Sequence, residues 1–155
     1  MKLRILLAWT LVLVWMSVIF FFSAQPGTES AGMSTTVAEF IVNSVGTIAP
    51  DLNLDLEALH LGLRKGAHFS VYMVLAVLTA NAGYKSGFTG VRLFLLASAI
   101  CILYAISDEV HQLYVPGRSG ELWDVLIDSS GAIAGSGLYL LAIQLFSKTP
   151  KKQTS

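Results

Sequence analysis

Residues 5–22 run without a single charge, and Thr10 and Ser17 are their only polar side chains. In the helical form the 18 residues approach the roughly 20 that a bilayer demands, and an apolar stretch of this kind satisfies its backbone in lipid by folding as a helix. Lys2 and Arg4 precede the run as in a signal peptide. The run exceeds the usual apolar region of such a peptide, however, and Phe22, Ser23 and Ala24 lack a small residue at the minus-three position of a cleavage site, so an uncleaved anchor is predicted. Three further stretches, at about 67–84, 91–106 and 126–146, are long enough to cross when tilted or extended. The predicted fold is therefore all-α: one membrane domain over 1–155, four transmembrane helices, and outer loops at 23–66 and 107–125. Of the 155 residues, 54% are hydrophobic and 13% charged, which excludes disorder, collagen and a disulfide scaffold. Ten Lys plus Arg balance ten Asp plus Glu with no basic run, so nucleic acid is not an expected partner, whereas membrane lipid is. The one cysteine, Cys101, can form no internal disulfide, and its expected role is packing.

Basic residues give the direction. Lys2, Arg4, Lys85, Arg92, Lys148, Lys151 and Lys152 fall on one side of the four spans, against Arg64, Lys65 and Arg118 on the other. The positive-inside rule then puts both termini in the cytoplasm and the two longer loops outside. Within the first outer loop, Met33, Val37, Phe40 with Ile41, Ser44 with Val45, and Ile48 recur at three and four, which predicts a short amphipathic helix lying on the membrane. Pro50 and Asp51 should break it. A second short helix over 55–63, with leucines at 56, 59 and 63, should lead into Arg64. The tail 148–155 is expected to fray.

Polar residues gather at one depth. Arg64, His68 and Tyr72 follow one another at i, i+4 and form a stripe at the outer end of the second span. Tyr104, Asp108, His111 and Gln112 share a face of the third if its helix runs past residue 106, which nothing before Pro116 forbids. Pro116 and Gly117 suit the central positions of a type II turn, which would return Arg118 toward the bundle. Asp124 and Asp128 open the fourth span one turn apart, and Gly131 and Gly135 continue their face as a G-x-x-x-G pair that lets a neighbouring helix come close. Arg64, Lys65 and Arg118 nearly balance Asp108, Glu109, Asp124 and Asp128, which points to internal pairing. Each piece also has a plain structural explanation: interfacial charges are commonly solvated or ion-paired anchors, and Asp124 and Asp128 suit a helix N-terminus. His60 reads as an exposed loop residue. Trp9, Trp15, Trp123, Tyr84 and Tyr139 read as core or interfacial belt. The convergence of three distant segments is the stronger signal, since ionisable groups clustered between membrane helices mark a site.

Three stretches together resemble the VanZ-like family of small bacterial membrane proteins. They are Phe21 to Pro26 after the first span; Arg64, Lys65, Gly66, Ala67, His68 and Phe69 with Tyr72; and Ser107 to Gln112 continuing through Pro116, Gly117 and Arg118 to Asp124 and Asp128. The likeness covers nearly the whole chain, with Ala24 standing where the family often has a second serine. It implies a role in the cell envelope, in a family named after a protein associated with teicoplanin resistance, and not a particular reaction. The family's recurring polar residues map onto Ser23, Gln25, Arg64, Lys65, His68, Tyr72, Asp108, Glu109, His111, Gln112, Pro116, Gly117, Arg118, Asp124 and Asp128, which coincide with the polar level above.

Three functional classes fit. In the first, the site binds or modifies an anionic envelope lipid or cell-wall precursor, with Arg64 and Arg118 gripping phosphate by paired hydrogen bonds and Lys65 as a point charge. Tyr72, Glu109, Gln112, Asp124 and Asp128 complete the ligand-binding set, and His68 or His111, oriented by Asp108, would move protons. In the second, His68, His111, Asp124 and Asp128 hold a zinc or manganese ion, although no metal motif such as H-E-x-x-H is present. In the third, the protein is non-catalytic and its ion pairs fix the bundle or a partner. A Gly-rich phosphate loop and a G-x-S-x-G motif are both missing from the sequence, so no reaction, cofactor or oligomeric state follows from it.

Overall fold

The computed structural model describes residues 1–48 and 55–146, so the expected break at Pro50 and Asp51 and the tail beyond 146 lie outside the described residues. Among the described residues there are five helices and no strand: α1 (Lys2–Ser23), α2 (Gly27–Ile48), α3 (Leu56–Lys85), α4 (Gly90–Gln112) and α5 (Leu122–Phe146). Four of them, α1, α3, α4 and α5, are long and apolar enough to cross a membrane, and α2 is the helix between the first two spans.

Helix α3 organises the bundle and corrects one expectation. The segment 55–63 is not a separate loop helix; it forms the first two turns of a continuous 30-residue α3. The Asp55 side chain accepts from the backbone N–H groups of Glu57 and Ala58, satisfying donors that a helix start leaves open. Neither Gly62 nor Gly66 is a strong enough breaker to interrupt the turns that follow. At 1.5 Å per residue α3 is about 45 Å long against a hydrocarbon core of about 30 Å, so its first turns extend beyond the apolar layer. The expected amphipathic helix is α2, but it starts earlier than the apolar periodicity, at Gly27. Ala38 is buried, and Phe40 is exposed; the side chains of Met33, Val45 and Ile48 lie outside the described set.

α3 packs against α5 most extensively, and against α1, α4 and α2. At one end of the bundle Arg4 and Lys85 line a small cleft with Met1 and Ile5, and the Trp9 indole N–H donates to Ser86 Oγ at 3.1 Å. This is the basic end, where Lys2 and Arg92 also lie at helix starts. In the middle, the Tyr104 hydroxyl donates to the Met16 carbonyl at 2.6 Å, tying α4 to α1. Cys101 is fully buried beside Thr79, which suits a packing role. The opposite end carries the polar residues.

Candidate functional site

The polar end is built first by the seam between α3 and α5. Asp124 and Asp128 occupy the first turns of α5, and Gly131 and Gly135 follow on the same face. A Cβ at Gly131 would collide with the Phe69 carbonyl oxygen, and one at Gly135 with that of Met73, so the small residues set the distance between the helices. That approach brings Arg64 Nη2 to 3.6 Å from Asp124 Oδ2 and His68 Nδ1 to 3.2 Å from Asp128 Oδ1. Asp128 is 1% exposed. A carboxylate so buried depends on its partner, and removing one member of such a pair costs about 3–5 kcal/mol.

The loop between α4 and α5 forms the second part. Val115, Pro116, Gly117 and Arg118 make the expected tight turn: the Arg118 N–H donates to the Val115 carbonyl at 3.2 Å, and Gly117 has φ +73°, the left-handed value a type II turn needs at its third position. The turn does return Arg118 to the bundle, but its guanidinium meets protein acceptors. Nε donates to the Gln25 carbonyl at 3.0 Å, Nη2 to the Phe22 carbonyl at 3.1 Å, and Nη1 to Gln112 Oε1 at 3.1 Å. Phe22 in the last turn of α1 and Gln25 just beyond it offer carbonyl oxygens at the partly negative end of the helix, so a planar cation fits there. Burial, then the neighbouring Arg64, lower the Arg118 pKa, while Asp108, Glu109 and Asp124 oppose the shift; the group remains a cation. Close by, Gly27 N–H donates to the Pro116 carbonyl at 3.1 Å, and a Cβ on Gly27 would strike the Gly117 carbonyl oxygen. Glu109 accepts from the Glu121 backbone N–H just before α5, where a negative charge complements the helix dipole.

The third part is a cavity of about 460 Å³ between α1 and α3. Trp15, Val18, Ile19 and Phe22 of α1, Val37 of α2, and Leu63, Ala67 and Val71 of α3 give it apolar walls. Ser23, Arg64, His68, Tyr72, Asp108, Gln112 and Arg118 give it a polar head. Deep in the cleft the Trp15 indole N–H donates to the Val71 carbonyl at 2.9 Å. From Trp15 to Ser23 the helix rises about 12 Å, close to the depth of one leaflet's acyl layer. At the head, the Tyr72 hydroxyl donates to Asp108 Oδ2 at 3.4 Å. Asp108 Oδ1 and Ser23 Oγ are buried, and among the described residues no group meets hydrogen-bond geometry with either.

Of the residues expected from sequence, Arg64, His68, Tyr72, Asp108, Gln112 and Arg118 share the wall of this cavity. Asp124 and Asp128 stand behind Arg64 and His68 and reach the cavity only through them. Lys65, Glu109 and His111 are not on its wall. His111 instead stacks on Phe20 of α1, with ring centroids 4.5 Å apart. The carboxylate that holds His68 is Asp128 and not Asp108, because the glycine-set approach of α5 delivers it there. The four residues considered for a metal do not assemble: among the described residues no group of three His, Cys, Asp or Glu side chains could hold an ion. Trp15, expected to be core or belt, lines the cavity with Val18, Ile19 and Phe22. Their i, i+3, i+4, i+7 spacing is the one signal that could have found them, and it is invisible in a helix apolar on every face.

A family model described as VanZ/LLP1 matches residues 8–144. No curated protein and no solved structure matches the chain.

Proposed function

The chain belongs to the VanZ/LLP1 family, and on that premise we propose that it holds a phosphate-bearing envelope lipid or cell-wall precursor in the cavity between α1 and α3. The single observation that carries this reading is the cavity's division into apolar walls about one leaflet deep and a polar head containing Arg64 and Arg118. Arg64 lies a loose 3.6 Å from Asp124 with its side chain 36% exposed, free to turn toward a phosphate. Arg118 gives three of its five N–H groups to the protein and keeps two for the head group. The segregation of Lys2, Arg4, Lys85 and Arg92 at the opposite end supports an orientation in the bacterial cytoplasmic membrane with both termini in the cytoplasm and the cavity facing the outer leaflet. A protein that sequesters or presents such a lipid bears on envelope homeostasis and on the access of glycopeptides such as teicoplanin to their targets. A change in teicoplanin susceptibility on deletion is the cellular readout.

The direct test is native mass spectrometry of the detergent-purified protein. The wild type is expected to retain one phospholipid-sized adduct per chain, and Ala67→Phe, which fills the cavity from an exposed position on its wall, is expected to lose it. Wild-type protein without an adduct, or a variant that keeps it, overturns the proposal.

A second reading, proton transfer on the held lipid, is favoured by the contact between His68 and Asp128. With Nδ1–H donating to the buried carboxylate, the lone pair of Nε2 is left for a substrate proton. Cells expressing the wild type should then contain a modified lipid that is missing with His68→Gln, although the purified variant still carries lipid. Identical lipid profiles for the two remove this reading.

A further inference from the structure

The carboxylates at the polar end are not alike. Asp124 faces Arg64, Asp128 faces His68, and Glu109 accepts a backbone N–H at the start of α5. Asp108 has the Tyr72 hydroxyl at 3.4 Å from one of its oxygens and the Ser23 hydroxyl and Gln112 amide beside it, but among the described residues no cation forms an ion pair with it. The nearby cations are engaged elsewhere: Arg118 donates to two carbonyls and Gln112, and the Nδ1 of His68 lies on Asp128. Asp108 is 4% exposed and Ser23 5% exposed, both line the cavity, and they face each other at its head. Close as they are, Asp108 Oδ1 and Ser23 Oγ stay outside hydrogen-bond geometry, with each other and with any other group among the described residues. A buried carboxylate without a cation is costly, and so is a buried hydroxyl without a hydrogen bond.

We propose that Asp108 and Ser23, with Tyr72 steadying the carboxylate, form an ammonium-recognising subsite, so that the lipid held in the cavity carries a primary amine beside its phosphate. This deepens the lipid-holding reading above and rests on it. The donor count selects the group. A primary ammonium offers three N–H donors on a compact charge, enough to reach Asp108 Oδ1 and Ser23 Oγ together and to neutralise the carboxylate. A trimethylated ammonium brings the charge but no donor, and a glycerol hydroxyl brings one donor and no charge. With the amine at Asp108, the phosphate lies toward Arg64 and the free N–H groups of Arg118, and the chain descends between α1 and α3 toward Trp15.

The test is a titration of the detergent-purified full-length protein with short-chain phosphatidylethanolamine, phosphatidylcholine and phosphatidylglycerol of the same acyl length, followed by native mass spectrometry. The wild type is expected to bind phosphatidylethanolamine about tenfold or more tightly than the other two, the range of a charge-assisted hydrogen bond. Asp108→Asn removes a charge without changing shape, and its affinity for phosphatidylethanolamine should fall to that for phosphatidylglycerol. Ser23→Ala, which leaves the charge in place, should lose roughly threefold of the preference. Equal wild-type affinity for the three lipids, or an Asp108→Asn protein that keeps the preference, overturns the amine subsite and leaves the lipid-holding reading standing. Wild-type protein that binds none of the three sinks both.

Discussion

Helix α3 presents two polar faces that differ in how their groups are satisfied. Toward α5, glycines at 131 and 135 let the backbones approach until Arg64 meets Asp124 and His68 meets Asp128. Toward α1, the bulkier Trp15, Val18, Ile19 and Phe22 stand opposite, a cavity remains, and Asp108 and Ser23 keep polar atoms without partners. The same depth of the bundle thus holds a closed seam and an open cleft. The contrast separates residues that hold the structure together from residues left available to a ligand, a distinction that charge or position in the sequence does not make. Glu109, charged and at the polar end, belongs to the closed class because it accepts the Glu121 N–H at the start of α5, whereas Arg118 serves both: three N–H groups hold the α4 to α5 loop against the end of α1 and Gln112, and two remain toward the cleft.

Substitutions on the two faces should separate accordingly. Gly131→Leu places a branched side chain against the Phe69 carbonyl and should be the most damaging, at about 3 kcal/mol or more, read as loss of folded protein in a detergent melt. Asp128→Ala leaves His68 with no partner on the seam and is expected to destabilise by about 3 kcal/mol in the same melt. Arg118→Lys keeps the charge but loses the planar fork that reaches Gln25, Phe22 and Gln112 at once. A loss of about 1–2 kcal/mol is expected, with α1 more open to protease at residues 24–26. Asp108→Asn, on the cleft, should have the smallest effect on stability, within about 1 kcal/mol and in the stabilising direction, because a buried unpaired charge disappears. If Asp108→Asn proves as damaging as Asp128→Ala, the two faces are not different in kind.

The seam was largely legible in the sequence. Arg64 with His68 and Asp124 with Asp128 are one helical turn apart, and Gly131 with Gly135 extends the second stripe, so periodicity alone places each set on one face. The Pro116 and Gly117 turn was legible for a similar reason, since a fixed φ followed by a residue that tolerates positive φ specifies local geometry. Partner choice was not legible. Whether His68 meets Asp108 or Asp128 depends on how the helices rotate and how closely they pack, and Arg118 finds carbonyls at and just past the end of α1 that no side-chain pattern advertises. His111 sits three residues from Asp108, yet Phe20 captures its ring. The wall on α1 was hidden because that helix is apolar all round, and a uniform helix shows no face. The early start of α3 was obscured because composition marks where lipid begins, whereas the helix begins at its cap, Asp55.

Trp15 offers the most direct measurement of the cleft, because it lies at the apolar depth of the cavity and hydrogen-bonds across it. In a background where Trp9 and Trp123 are replaced by Phe, the protein would be reconstituted with increasing fractions of phospholipid brominated along its acyl chains. Quenching that saturates at a low brominated fraction, through one site, is expected, and Ala67→Phe should abolish that saturable component. Quenching that rises only in proportion to the bulk lipid and is indifferent to Ala67→Phe would contradict a lipid site between α1 and α3.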